Sequence, residues 1–440
     1  MNRRLVTCLL VACLSAPGWA ANAPHDKAPP GGKLAHKDYQ PSDNKGKRGS
    51  YQCHTSIAGC DYWVCVPDSY SDDKPAGIHV FFHGQNGQGG APHFGQWQKA
   101  FLEPFNLIGI NMQYQDGDNA KDMPGKVAAA REAIGQTLAD YKIIVGRGVI
   151  CSFSGGGLPH GLFFAQTGKI KGPDFPFCHM AQYSSNFNPP IPAGTCPLSW
   201  FFSVGSAEWG MGGPTLGKAA TSHMAELLAQ AAKGGDADLF LKIIKGKGHS
   251  IDDSEVAFSA TMFRRADLAF APFLYEPDYP EEKLATLVKQ ANALTLGPVL
   301  PALERILNDS KAPDGLKKKA EVLKQRVTSR VKAIMDVAGD LAANDPVLLA
   351  YYSRKYAPQI AGLPEAKELQ ALVQKATSNK DFPRWTSQLT TFKEIMLQAF
   401  TPASCTPPSA KAVPLIEDVQ KTAPEKSLFG RMAADFLLLR

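Results

Sequence analysis

From about residue 50 to about residue 275, short apolar runs alternate with amphipathic stretches, and after that the spacing becomes purely helical. Tyr51 to His54 and Asp61 to Val66 flank a Gly-containing turn and read as a hairpin. In Tyr62-Trp63-Val64-Cys65-Val66 the side chains alternate faces, as a half-buried strand requires. Gly77 to Phe82 is apolar and too short for a helix, so it reads as a strand. A helix (about Phe94 to Glu103), a strand (Asn106 to Gln113) and a helix (Lys121 to Tyr141) follow. Lys142 to Ile150 is the next buried strand, leading through a Ser/Gly-rich turn into a helix over Leu158 to Gln166. Beyond it, Phe177 to Ser184 and Leu198 to Val204 read as strands, Thr215 to Ala232 as a helix, and Leu239 to Ile244 as a strand. Strands alternating with helices at this spacing imply βαβ units and a mostly parallel sheet with helices on both faces. The fold class is therefore α/β over residues 50–275.

From Glu276 onward the period is three to four. Leu316, Ala320, Leu323, Val327, Val331, Ile334, Ala338 and Leu341 fall on one face of a long helix. Similar patterns over Pro346 to Tyr356, Glu365 to Ala376, Trp385 to Phe400 and Leu428 to Leu439 predict an all-helical C-terminal domain, residues 276–440. Lys317, Lys318, Lys319, Lys324 and Arg326 read as its solvated side.

At the other end, Asn2-Arg3-Arg4 precedes an apolar run from Leu5 to Leu14, and Gly18-Trp19-Ala20 closes with small residues. This is the pattern of a cleaved secretory signal over residues 1–20, followed by a Pro/Gly/Lys-rich flexible leader over 21–49. A lipoprotein box at Leu10-Val11-Ala12-Cys13, anchoring the chain at Cys13, is the alternative. Either way the expected location is outside the cytosol, secreted or periplasmic. No other stretch reaches the roughly 20 apolar residues of a membrane span. The formal charge of +6 over 440 residues gives no argument for a nucleic-acid partner. Export changes the reading of the nine cysteines, since thiols outside the cytosol tend to pair. Cys178 with Cys196, and Cys53 with Cys60 or Cys65, are the expected bridges, with Cys151 left free. No Cys/His spacing suggests a metal site.

Two turns carry chemistry. Cys151-Ser152-Phe153-Ser154-Gly155-Gly156-Gly157 lies between a strand and a helix, where a nucleophile elbow needs small residues two before and two after the serine. Ser154 meets that requirement with Ser152 and Gly156, whereas Ser152 as nucleophile would place Ile150 where bulk is excluded. The strand Gly77 to Phe82 opens into His83-Gly84-Gln85-Asn86-Gly87, whose glycines let backbone N–H groups turn toward a ligand, as an oxyanion hole requires. A serine needs a base, and the base needs an acid. In sheet enzymes of this kind the chain order is serine, acid, histidine. Glu208 follows one strand by four residues and His249 follows the last by five. Asp236 and Asp252 are weaker substitutes for the acid, and His79 and His160 read as packing residues.

Over about Tyr51 to Tyr275 the chain resembles the α/β-hydrolase superfamily, and within it secreted esterases related to polyhydroxybutyrate depolymerases and feruloyl esterases. The resemblance rests on His83-Gly84, Ser152-Phe153-Ser154-Gly155-Gly156, Gly205-Ser206-Ala207-Glu208 and Gly248-His249-Ser250. It implies Ser154 as nucleophile, His249 as general base and Glu208 as acid, with the backbone N–H groups of Gly155 and Gln85 as oxyanion hole and no cofactor. The chain departs from the pattern at Ser152, where glycine is usual, and at Glu208, where aspartate is more common. The expected function is a secreted serine esterase acting through an acyl-enzyme on a small-molecule or polymer-linked ester. A catalytically inactive hydrolase-fold binding or scaffold protein, whose helical domain recruits a partner, and a peptidase of the same fold are the alternatives.

Overall fold

The computed structural model describes residues 39–84, 94–114, 122–167, 177–185, 199–205, 238–399 and 412–437, with side chains at all of these except 164–167, 238–239 and 392–399. Its centre is an eight-stranded sheet in the order β1-β2-β4-β3-β5-β6-β7-β8. The strands are β1 (Gly49–His54), β2 (Cys60–Val66), β3 (Ala76–Phe82), β4 (Leu107–Tyr114), β5 (Ile143–Phe153), β6 (His179–Tyr183), β7 (Ser199–Gly205) and β8 (Asp238–Ile244). β2 runs antiparallel to both β1 and β4, and all later pairings are parallel. Every residue of β3 is buried, as expected of a strand covered on two faces. On one face lie α2 (Met123–Asp140) and α3 (Gly157–Thr167). On the other lie α4 (Asp253–Phe270) and α1, which runs through Phe94–Trp97, a π-helical stretch Gln98–Leu102 and Glu103–Phe105. This is the α/β-hydrolase sheet, continued by a helical C-terminal region.

Most expected strands and helices over the described residues are present. Two differences bear on the site. β5 continues to Phe153, three residues beyond the expected end, so that Ser154 follows the strand directly. Helix α4, between the last strand and the helical region, was absent from the pattern reading. The helix expected over Thr215 to Ala232 lies outside the described residues.

The helical region comprises α5 (Glu282–Asn292), α6 (Val299–Asn308), α7 (Asp314–Asn344), α8 (Pro346–Gln359), α9 (Pro364–Thr377), α10 (Phe382–Ala399), α11 (Val413–Thr422) and α12 (Leu428–Leu437). The apolar stripe of α7 faces inward, with Ala320, Leu323, Val327, Val331, Ile334, Ala338 and Leu341 all buried. They form a second core with Leu284, Val288, Leu303, Tyr352 and Tyr356. Helices α11 and α12 belong to the other core. Ile416, Val419, Phe429, Met432 and Phe436 pack with the sheet residues. There Asp435 accepts the Ile243 N–H at 3.0 Å. Among the described residues β8 is the last strand of the sheet, and this carboxylate satisfies a donor that no described strand takes. Burial pushes Asp435 up to about 6.

A buried charge cluster joins the two cores. Asp267 of α4 accepts from Arg147 of β5 at 3.0 Å and from Arg330 of α7 at 3.2 Å. Arg330 also donates to the carbonyls of Asp267 and Ala271, and Gln359 donates to Leu268. The last turn of α4, whose carbonyls lack helical partners, is thus capped from the helical region.

The expected disulfides need correction. Cys53 and Cys65 are free thiols, so neither hairpin bridge forms, and Cys178 is free as well. Antiparallel register explains the hairpin. Cys53 stands opposite Tyr62 and Cys65 opposite Ser50, and a bridge needs Cα atoms within about 7 Å with converging Cβ vectors. Cys196 lies outside the described residues. Cys151 is a free buried thiol, as expected. Burial raises all four of these thiols above their ordinary range, which keeps them protonated and unreactive.

Three histidines, His79, His160 and His179, are fully buried, and burial pushes each down to about 3. An unfolded chain takes up protons at these positions below about pH 6.5, whereas the folded chain does not until near pH 3. Stability is therefore unaffected by them above that range and falls through it on acidification, by about 1.4 kcal/mol per pH unit for each histidine. Urea unfolding between pH 7.5 and 4.5 should show this slope, and His79→Leu should reduce it by about one histidine's share. An unchanged slope in that variant would contradict the assignment.

Candidate active site

The sharp turn after β5 begins with Ser154 in a left-handed conformation, φ 51°. Few non-glycine residues adopt it, and such a residue is held there by its surroundings. Those surroundings are tight. A Cβ at Gly156 would lie 2.3 Å from the Phe82 carbonyl oxygen and 2.4 Å from that of His83. The small residue two positions after Ser154 is therefore required by the end of β3, which the elbow packs against. A 3-10 turn, Ser154–Gly156, leads into α3. In such a first turn the N–H of Gly155 has no intrahelical acceptor.

The second tip belongs to β3. His83 is buried, and its Nδ1 is 2.6 Å from the Gly84 carbonyl oxygen. Its Nε2 lies 3.2 Å from the backbone N–H of Tyr114. A carbonyl only accepts and an amide N–H only donates, so the ring is neutral with the proton on Nδ1. The ring thereby grips the carbonyl of the peptide leading to residue 85. Gln85 itself lies outside the described residues.

His249 comes from the loop after β8. Its Nε2 is 2.7 Å from Ser154 Oγ, across 95 residues of sequence. One side of its ring packs on Phe153, the residue before the serine, with centroids 4.8 Å apart. The loop is anchored beneath by a buried ion pair, Lys247 to Glu255 at 2.7 Å. Glu255 also accepts the Asp252 N–H at 2.5 Å, completing a capping box at the start of α4. That box gives Asp252 a structural role at the start of α4. Hydrogen bonds from the Ser254 side chain and from the Ser254 N–H, the latter at 2.8 Å, lower the pKa of its carboxyl. The Asp252-x-x-Glu255 spacing is a capping-box signature that would have revealed α4 from sequence.

Of the sequence-derived residues, Ser154, His249 and Gly155 come together. Glu208 and Gln85 lie outside the described residues, as does Asp236. Glu208's strand is nevertheless informative at its end. A Cβ at Gly205, the last residue of β7, would lie 2.1 Å from the Lys247 carbonyl oxygen. The chain entering Gly205-Ser206-Ala207-Glu208 thus leaves the sheet in contact with the loop that carries His249. His79 and His160 are both buried, as packing residues are. His160 also makes a hydrogen bond, 2.9 Å from Nδ1 to Ser152 Oγ, which sequence reasoning did not reach.

No family model matches the chain, and no curated protein matches it either. Solved structures of similar fold include a poly(3-hydroxybutyrate) depolymerase from Bordetella parapertussis, at 14% identity and TM-score 0.35 over 58% of this chain and 96% of that one. A ferulic acid esterase from Anaeromyces mucronatus matches at 12% identity and TM-score 0.36 over 49% of this chain and 88% of that one. An uncharacterised protein from Capnocytophaga ochracea matches at 11% identity and TM-score 0.37 over 78% and 99%. These are distant likenesses, and the chemistry rests on the chain's own residues.

Substituting Gly156 tests the packing of the elbow on β3. Gly156→Ala should cost about 1–3 kcal/mol, because backbone atoms rather than a mobile side chain must yield. Gly315→Ala in α7, where a Cβ meets nothing within 4 Å, should be neutral or slightly stabilising. Equal urea midpoints for the two variants would refute the steric account.

Proposed function

We propose that the protein is a secreted serine esterase acting through an acyl-enzyme. The observation that carries this reading is the 2.7 Å contact between Ser154 Oγ and His249 Nε2 at the left-handed elbow. A serine hydroxyl is a weak nucleophile until a base takes its proton as it attacks. Ser154 Oγ adds to the ester carbonyl carbon while His249 Nε2 accepts the proton. The carbonyl oxygen becomes an oxyanion, received by the N–H groups of Gly155 and Gln85. Collapse breaks the bond to the alcohol, which leaves with the proton from His249. Water, deprotonated by the same nitrogen, then attacks the acyl carbon and releases the acid and Ser154. Glu208 holds His249 in the correct tautomer and stabilises the imidazolium. The contact of Gly205 with the His249 loop supports that role.

Export is supported by the basic and apolar pattern of the first 20 residues, which lie outside the described part. No helix among the described residues is long and apolar enough to cross a membrane. The substrate is a carboxylic ester, free or attached to a polymer.

Ser154→Ala should abolish labelling by a fluorophosphonate probe and lower p-nitrophenyl acetate hydrolysis by about 10⁴-fold or more. Undiminished labelling of the variant would overturn the nucleophile. A folded wild-type protein that neither takes the probe nor turns over ester would favour a non-catalytic binding protein, and preferential cleavage of amides over esters would favour a peptidase.

A further inference from the structure

The residue two before Ser154 is serine rather than glycine, and its fully buried hydroxyl belongs to a chain of hydrogen bonds. Ser185, just beyond the end of β6, donates from Oγ to the carbonyl oxygen of Ser154 at 3.2 Å. A carbonyl can only accept, so the single proton of Ser185 is used there. In the 3.1 Å contact between Ser185 Oγ and Ser152 Oγ, Ser152 is then the donor. Its own proton is used in turn. The 2.9 Å contact with His160 therefore runs from the imidazole Nδ1–H to Ser152 Oγ. All three bonds point one way, from His160 through Ser152 and Ser185 to Ser154. His160 can supply that proton without being charged. Its ring lies flat on Phe82, 5.6 Å between centroids at 3°, and burial pushes it down to about 3.

The chain ends on a peptide that matters. The carbonyl of Ser154 and the N–H of Gly155 are parts of one planar group. The same oxygen also accepts the Gly157 N–H, so the group is held by two donors on its carbonyl side. Withdrawing electron density at the carbonyl makes the N–H a better donor, since hydrogen bonds in series reinforce one another in a low dielectric. We propose that Ser185, Ser152 and His160 are positioning residues that orient and polarise the Ser154–Gly155 peptide for the oxyanion. This inference rests on the serine-esterase reading. Ser152 is not a second nucleophile, because its hydroxyl is fully buried and its proton is committed to Ser185.

The test is steady-state hydrolysis of p-nitrophenyl acetate, normalised to sites titrated with a fluorophosphonate, for wild type, Ser185→Ala, Ser152→Ala, the double variant and Ser185→Thr. Ser185→Ala should lose about tenfold in kcat with KM little changed, less than the loss of a whole oxyanion donor, and Ser152→Ala should lose less, because Ser185 keeps its bond to the Ser154 carbonyl. Affinity for a trifluoromethyl ketone, which forms a tetrahedral oxyanion adduct, should fall by a similar factor. The double variant should cost no more than Ser185→Ala, because Ser152 reaches the carbonyl only through Ser185. Ser185→Thr, which keeps the hydroxyl, should recover most of kcat. Normalising to titrated sites removes any loss of folded protein, and Ser185→Ala carries the test if Ser152→Ala does not fold. Unchanged kcat per site in Ser185→Ala, or a fall in kcat with no fall in ketone affinity, overturns the proposal. A wild type that takes no probe at Ser154 overturns the esterase reading instead.

Discussion

A serine hydroxyl can stand clear of a parallel sheet only where the backbone beneath it reverses, and at Ser154 that reversal depends on a left-handed residue with φ 51°. Such a conformation costs about 1–3 kcal/mol and persists only where neighbouring structure holds it. Here the neighbours come from three strands. The tip of β3 crowds Gly156, the end of β6 supplies the Ser185 bond to the Ser154 carbonyl, and the loop after β8 brings His249 to the hydroxyl. The sheet order explains why these can meet. β3, β5 and β6 are adjacent and parallel, so their C-terminal ends open on one side, and the crevice beyond those ends is where open α/β sheets place their ligands.

The parts of this arrangement that a linear reading reaches are those set by local sterics. Gly156 and the direct sequence of strand, serine and helix announce the elbow, because a tight turn excludes bulk at fixed offsets from Ser154. His249 is legible for a related reason, since it follows a short apolar run at loop distance. Helix α4 was missed because its buried face carries Glu255, Ser259, Arg265 and Asp267 among the apolar residues, which breaks the periodicity that marks a helix. The chain of His160, Ser152 and Ser185 joins a helix, a strand and a loop, and nothing in their spacing along the sequence brings them together. The disulfide expectation failed differently. It was drawn from the compartment, which governs whether thiols can oxidise, whereas strand register governs whether they can meet.

Between the two cores, the energetics are those of a buried charge rather than of a surface contact. Removing one partner of a buried ion pair typically costs about 3–5 kcal/mol, because the remaining charge is stranded. Asp267 with Arg147 and Arg330 therefore makes the helical region a condition of the sheet's own integrity. Arg330 also closes the C-terminal end of α4, the helix whose first turn holds Lys247 and the His249 loop. One helix thus runs from the charge cluster to the loop that carries His249, and the helical region contributes to the candidate site by supporting it.

The bond from Asp435 to the Ile243 N–H spans 192 residues. Without α12, β8 would present the unpaired Ile243 N–H and the surface that Phe429, Met432 and Phe436 cover. Exposed edges of this kind invite association with other chains. Helix α12 thus shields the end of the sheet from pairing with another chain.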